Sequence, residues 1–311
     1  MIILGIHNHI VMPSWKNMEL ISGKPGLAKS IVLPTCGCSY DACYMCSYKS
    51  DCPPRTPNDI VEIFCSDIEE GIDKLKIFTS GSFFDEKELT KEQQMEIISR
   101  ASESGVKEIT VESRPEFIKA ELIDTLVSSM ANGTTLEVAI GLESANNDVL
   151  RYCVNKGFTY EKFMDKANLL HSKDVLVKTY LLLKPPFITE YEAILDVTQS
   201  AIKTEGISDT ISINPVSIHK GSLVERLWMR KEYRPPFLWS LVECLNNLRD
   251  LDPYVMSHPV GIGKERGIHN CGECEREIMK KVEEYNMGSR EFIDYDCECK
   301  KEWEEELKKI F

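Results

Sequence analysis

Three absences bound what this chain can be. It has no apolar run long enough to span a bilayer. It has no low-complexity tract and no internal repeat beyond an alternation of strand and helix patterns, which excludes collagen-like and solenoid architectures. It is also short of positive charge: 37 lysines and arginines face 50 aspartates and glutamates, for a net charge of −13. That balance argues against a stand-alone nucleic-acid binder, which usually presents a basic surface, but it is compatible with a local basic patch or with a partner that holds the nucleic acid. The opening stretch, Met1 to His9, carries no basic region and no clear small-residue cleavage site, so a cytoplasmic protein is expected.

Cysteine, by contrast, is plentiful, with twelve in 311 residues. Without a secretory signal these are not expected to be disulfides. They concentrate in residues 36–52 and 271–299, and such clustering favours metal sites. Cys65, Cys153 and Cys244 lie in apolar segments and read as small core residues.

The first cluster organises the chain. An apolar run, Ser30 to Leu33, reads as a strand and feeds a loop holding Cys36, Cys38, Cys43 and Cys46. Counting from Cys38 gives C-x4-C-x2-C, and counting from Cys36 gives C-x6-C-x2-C. Three thiolates on one loop at a strand's end suit a soft metal or an iron–sulfur cluster. A zinc knuckle or a set of redox thiols would show the same pattern.

Beyond the loop, strand and helix alternate. Strands are predicted over 75–79, 108–113, 136–142, 175–183 and 210–215, separated by helices over about 58–74, 91–103, 116–130, a broken stretch ending near 171, and 189–205. Six strand–helix units imply an α/β fold, an incomplete (β/α)6 barrel whose open side admits a large substrate. The expected organisation is a lead-in over 1–29, closed off by the Gly23–Gly26 loop, a barrel over 30–252, and a Cys-rich C-terminal extension over 253–311.

Polar residues gather where the strands end, the edge that carries the site in parallel α/β folds. They are Ser80-Gly81-Ser82, Glu112-Ser113-Arg114-Pro115, Gly141-Leu142-Glu143-Ser144 and Leu183-Lys184-Pro185-Pro186. A carboxylate and a guanidinium at one strand end can hold a zwitterion or a ribose diol; ordinary turns and solvated ion pairs are the plainer alternative. After the last strand, 214–225 and 233–240 interleave cations with aromatics, a composition that can anchor nucleic acid or simply start a packed helix. In the second cluster, Cys271 and Cys274 are followed after about twenty residues by Cys297 and Cys299. This is the spacing of a four-thiolate zinc ribbon, in which His269 could replace one cysteine; unliganded thiols in an acidic tail and a second iron–sulfur cluster are the other options.

Taken in order, these segments resemble one family, the radical S-adenosylmethionine (SAM) subunits of archaeosine synthase, which are related to the Elongator-type radical SAM domain. The resemblance rests on the Gly-Cys loop ending Met45-Cys46-Ser47-Tyr48, on Ser80-Gly81-Ser82-Phe83, Glu112-Ser113-Arg114-Pro115, Leu183-Lys184-Pro185-Pro186-Phe187, Asn214-Pro215, Arg234-Pro235-Pro236 and His269-Asn270-Cys271. It implies a radical SAM barrel with a [4Fe–4S] cluster on Cys43, Cys46 and either Cys38 or Cys36; Cys38 is favoured because it follows Gly37, as the family's first cysteine commonly follows a glycine. It implies SAM binding by Ser80, Gly81, Ser82, Glu112, Arg114, Glu143 and Lys184, and an external one-electron reductant. The implied reaction is carbon–nitrogen bond cleavage. A partner, the lysine-dependent transferase subunit, joins lysine to the preQ0 base at position 15 of tRNA, and the radical SAM subunit cleaves that adduct to leave archaeosine. The rival readings are another Elongator-like radical SAM enzyme acting on a different tRNA base or small molecule, and a non-catalytic zinc scaffold.

Overall fold

The computed structural model describes residues 12–309. Its frame is one eight-stranded sheet whose strands lie side by side in chain order. Strand β1 (Ser14–Ile21) turns back into β2 (Lys24–Val32) as an antiparallel hairpin. Ser22 and Gly23 form its two-residue turn and both have positive φ, 50° and 74°, the backbone that a tight hairpin between right-twisted strands requires. Six parallel strands follow: β3 (Lys74–Phe78), β4 (Glu108–Glu112), β5 (Thr135–Glu143), β6 (Leu176–Leu183), β7 (Thr210–Pro215) and β8 (Tyr254–Met256). The helices are α1 (Ile60–Cys65), α2 (Lys91–Glu103), α3 (Ala120–Ser129), α4 (Tyr160–His171), α5 (Glu190–Lys203), α6 (Leu223–Met229), α7 (Leu238–Asn247), α8 (Glu275–Asn286) and α9 (Lys300–Glu306).

Parallel strands need crossovers, and α1 to α5 and α7 supply them on the outer face. Their sequences set their limits. Thr90 and Gln93 form a capping box at the start of α2, and Thr189 and Glu192 form another at the start of α5. The apolar stripes of these helices meet the outer face of the sheet in one continuous core. The architecture is thus an open α/β partial barrel, with the six central strands where the alternation placed them.

Three expectations need correction. Residues 14–29 are sheet, not lead-in: Gly23 makes the hairpin turn, while Lys24, Pro25 and Gly26 belong to β2. Pro25 is tolerated because β2 pairs with β3 only from Ala28 onward, so its missing N–H breaks no ladder on that side. Helix α1 ends at Cys65 rather than near residue 74. Buried Lys29 takes the turn beyond it, donating to the Asp67 carbonyl at 2.5 Å, Asp67 Oδ1 at 2.9 Å and Glu69 Oε1 at 2.6 Å. The Cys-rich segment does not begin at a sheet boundary, because Tyr254–Met256 pairs with β7. It also shares the barrel's core through Ile278, Val282, Tyr285 and Trp303. Cys244 is buried in that core and Cys65 is half-buried against it, while Cys153 is buried in a second apolar cluster with Val149, Val154 and Leu182.

The barrel interior below the site is charged. Lys74 contacts both Glu108 and Glu137, and Glu137 also accepts from Thr110 at 2.7 Å and Thr210 at 3.1 Å. Glu19, from the edge strand β1, pairs with Lys76. The two edges of the open sheet meet around a cavity of about 240 Å³ lined by Glu19 on one side and Tyr254 and Met256 on the other.

Candidate active site

At the C-terminal ends of the strands lies a second cavity, about 340 Å³, that gathers most of the residues singled out in the sequence. Cys38, Cys43 and Cys46 line it together with Ser80, Gly81, Glu112, Arg114 and Glu143. Cys36 does not. Its sulfur turns outward and donates to the Lys87 carbonyl at 3.1 Å. Gly37, with φ 79°, swings the chain between them, and a side chain there would strike Cys52 Sγ at 2.7 Å.

The cysteine loop is docked by specific contacts. Tyr44 N–H donates to the Val154 carbonyl at 3.0 Å, Asn155 Nδ2 to the Ala42 carbonyl at 2.7 Å, and the Tyr40 hydroxyl to the Asn155 carbonyl at 2.8 Å. The receiving surface is a π-helical turn, Val149–Val154, and the loop after it. Gly157 is needed there because a side chain would enter the Tyr40 ring, 2.4 Å from its edge. Gly81 has the same role on the other side: a Cβ would sit 2.5 Å from Cys38 Cα. Three thiols, none in a disulfide, therefore face one cavity on a loop whose backbone is fastened from two sides. That arrangement fits a cluster held by three cysteines, with one iron left for a small molecule. Burial raises the Cys43 thiol, and it pushes Cys46 up to about 11. Such thiols stay protonated at neutral pH until a metal displaces the proton.

The strand ends supply the polar wall. At the end of β5 the register shifts, and Glu143 takes a left-handed φ of 70°. Its carboxylate thereby meets Lys156 Nζ at 2.8 Å. Burial disfavours the Lys156 charge, but Glu143 outweighs it and the ammonium is retained. Glu112, at the end of β4, titrates at about 7: burial raises it, and the Tyr180 hydroxyl and Lys178 draw it only partly back. Arg114 is buried and already committed. Its Nε donates to Glu116 at 2.5 Å, its Nη2 to the Lys156 carbonyl at 2.9 Å, and its guanidinium lies 4.1 Å over the Tyr40 ring.

Two expected residues lie elsewhere. Ser82 is buried behind the wall, its N–H donating to Glu88 at 2.6 Å and its hydroxyl accepting from Arg114 N–H at 3.1 Å, so it ties two strand ends together. Lys184 pairs with buried Glu190 at 2.5 Å and lines a separate groove of about 890 Å³ beyond α6. Tyr48, Asn214, Ser217 and His219, from segments noted in the sequence without a role in this cavity, also line it, and Lys156, Tyr180 and His258 were not anticipated. Tyr180 was legible, since it alternates inward along β6 with Lys178 and Leu182. His258 follows a three-residue strand that the periodicity does not reveal.

The C-terminal cysteines form a second constellation. The sulfurs of Cys271, Cys274, Cys297 and Cys299 lie 3.5–3.8 Å apart around a closed set. Asn270 Nδ2 donates to Cys274 Sγ at 3.3 Å and Trp239 Nε1 to Cys299 Sγ at 3.4 Å. His269 is not part of the set; its Nδ1 bonds the Gly267 carbonyl at 2.8 Å. This is a four-thiol metal-binding geometry.

A half-open parallel barrel with three cysteines beyond its first parallel strand defines a class, and residues 32–198 match the Radical SAM superfamily. Over 310 residues the chain is 41% identical to the archaeosine synthase subunit beta of Thermococcus kodakarensis, covering 94% of this chain and 95% of that one. It is 34% identical to the subunit of the same name from Methanosarcina acetivorans, covering 94% and 89%. The chain belongs to the archaeosine synthase subunit beta family. In fold it is similar to the Methanocaldococcus infernus Elp3 lacking its N-terminus (TM-score 0.51, 18% identity, 67% of this chain and 54% of that one). It is equally similar to a queuine lyase from Clostridium spiroforme bound to SAM and queuine (TM-score 0.51, 18% identity, 70% and 89%). No helix among the described residues is long and apolar enough to cross a membrane.

Proposed function

We propose that this chain is the radical SAM enzyme of a tRNA modification, cleaving the carbon–nitrogen bond of a lysine–preQ0 adduct at position 15 of tRNA to leave archaeosine. The observation that carries the reading is the convergence of Cys38, Cys43 and Cys46 with Gly81, Glu112 and Glu143 on one cavity, in a chain that matches beta subunits of archaeosine synthase over 94% of its length. The subunit name of those relatives supports a partner, here read as the lysine-dependent transferase subunit, and an external one-electron reductant completes the system.

A [4Fe–4S] cluster on Cys38, Cys43 and Cys46 would supply the electron that splits SAM into methionine and a 5′-deoxyadenosyl radical. The chain's own residues bind and orient. Gly81 keeps the loop after β3 against the cluster loop without a side chain between them. Glu112 and Glu143 place carboxylates where an ammonium or a ribose diol can be held. Arg114 and Lys156, each engaged with neighbours, hold that wall rigid, and Tyr180 fills the floor. At the opposite end of the chain, zinc suits the four thiols: tetrahedral Zn–S bonds of about 2.3 Å place sulfurs about 3.8 Å apart, close to the spacing found here.

The test is anaerobic turnover of the reconstituted protein with dithionite, SAM and tRNA carrying the adduct, followed by mass spectrometry of the digested tRNA. Archaeosine and 5′-deoxyadenosine together are expected. Deoxyadenosine without archaeosine, with the transferase subunit present, would keep the radical SAM chemistry and remove the substrate assignment.

The Glu112 carboxyl gives a pH dependence. Its raised pKa of about 7 means that it is protonated below neutrality and charged above it. If it holds the ammonium of SAM, affinity should fall roughly tenfold between pH 8 and pH 6, as the ionised fraction drops. The Glu112→Gln variant should bind weakly and without that slope. Equal slopes in both proteins, measured by equilibrium binding to the cluster-loaded enzyme, would assign the titration to another group.

A further inference from the structure

The acidic chain carries one cationic lip beside the mouth of the site, built from α6, the loop before it and the glycine-rich turn at 260–267. Lys220, Arg226, Arg230, Lys231 and Lys264 are exposed along it, with Lys231 on the wall of the neighbouring groove of about 890 Å³. None of the five is in an ion pair among the described residues, whereas Arg266 is held by Glu225. Between residues 217 and 235 and between 260 and 269, seven lysines and arginines face three glutamates, so this surface is positive on a chain whose net charge is −13.

The lip is fixed to the cluster loop. The N–H groups of Leu223 and Val224 donate to the Tyr44 carbonyl at 3.0 and 3.3 Å, which seats the first turn of α6 directly on the residue beside Cys43. The glycine turn is fixed to the lip in the same way. Ile218 N–H donates to the Arg266 carbonyl at 2.7 Å, and the Arg266 guanidinium lies 5.0 Å from the Trp228 ring. A side chain at Gly267 would come within 2.1 Å of the Gly261 carbonyl oxygen, so the turn stays tight; Val260 at its start lines the cavity and Lys264 within it is exposed. Tyr48 is 53% exposed, packs edge-on against His219 at 4.5 Å, and lines the cavity with His219 and Val260.

We propose that this lip is an RNA-docking surface. Its lysines and arginines would take backbone phosphates on one side of the reacting nucleotide, and Tyr48 and His219 would offer ring faces to an unstacked base at the cavity mouth. The inference rests on the proposed tRNA substrate and assigns to this chain, rather than to its partner, the contacts nearest the reacting base. Phosphate attraction brings RNA to the rim, and an aromatic pair rewards a base that has left its stack. An acidic protein partner would be served by the charges, but exposed rings at the lip of a reaction cavity favour RNA.

The test uses the full chain with its cluster and the triple variant K220E/R226E/K264E. Binding of a labelled tRNA transcript is measured by anisotropy across a salt series. Affinity at physiological salt should fall at least tenfold, and the log–log salt slope should shrink by roughly two, at about 0.7–0.9 per lost phosphate contact. Iron content and SAM cleavage in the absence of tRNA should be unchanged. Equal tRNA affinity in the two proteins overturns the proposal. So does a variant that keeps tRNA but loses the transferase subunit, which would make the lip a protein-docking surface. Loss of tRNA binding in the variant, beside a wild type that binds tRNA but makes no archaeosine, would uphold the lip and sink the reaction instead.

Discussion

Cys38→Ala should lose its iron and acid-labile sulfide and form no 5′-deoxyadenosine, a fall in SAM cleavage of at least a thousandfold, while Cys36→Ala stays within a few-fold of wild type. Spacing alone leaves both cysteines available. The structure separates them by direction: Cys38 opens onto the cavity with Cys43 and Cys46, and Cys36 points at the Lys87 carbonyl, on the far side of Gly37. A cluster held by three thiolates has no spare ligand, so loss of one leaves a site that does not retain it. Metal analysis of the same proteins tests the other end of the chain. Both variants should keep one zinc, because Cys271, Cys274, Cys297 and Cys299 lie in a separate constellation stiffened by Asn270 and Trp239. Iron retained in Cys38→Ala and lost in Cys36→Ala would reverse the ligand assignment. Zinc lost with the iron would mean that the two metal sites are not independent.

The parts of this molecule that were legible in the sequence are those governed by local rules. The six central strands were found because their apolar runs stop at polar or glycine residues, helix α2 because Gly105 stops it, and helix α5 because Thr189 caps it. The cysteines were legible by spacing, and the strand ends by topology. What was missed depends on tertiary partners. Strand β1, with Lys16, Asn17 and Glu19 among its residues, looks too polar for a strand; it forms because Glu19 points inward to Lys76. Strand β8 is three residues long and exists through its pairing with β7. Lys184 looked like a site residue because it ends a strand with the others, yet its backbone φ of 62° and buried Glu190 turn it into the neighbouring groove. Lys156 lies in a loop with no periodic signal, and it reaches the cavity because the bulge at Glu143 brings a carboxylate to it.

Lys74→Met should cost about 3–5 kcal/mol of stability, because removing one member of a buried ion cluster leaves the others uncompensated. Lys74 is 4% exposed and Glu108 and Glu137 are 5% and 1% exposed, and the three line the same cavity of about 240 Å³, so bulk solvent has little access to take over its role. In wild type, burial opposes ionisation of Glu137, but Lys74, then Lys178 and hydrogen bonds from Lys74 and Thr110, hold its pKa down to about 2. The sign follows from linkage: a carboxylate lowered on folding adds stability above its unfolded pKa and loses it as pH falls toward 2. Burial, with the nearby Glu137 charge, already holds Glu108 above its ordinary value in wild type. Without Lys74, burial should dominate at Glu137 as well and push Glu108 up further, which reverses the sign at Glu137. The variant should therefore gain more stability than wild type between pH 7 and pH 5, because in wild type only Glu108 is raised while Glu137 is held low. Denaturant unfolding at the two pH values reads both effects. A loss under 1 kcal/mol, with the same pH trend in both proteins, would mean that the lumen is wet and the network solvated. A full loss with the reversed trend would show the charged floor acting as a dry structural layer. That layer gives this open barrel a rigid base under Tyr180 and Glu112, and its edge strands β1 and β8 a reason to meet.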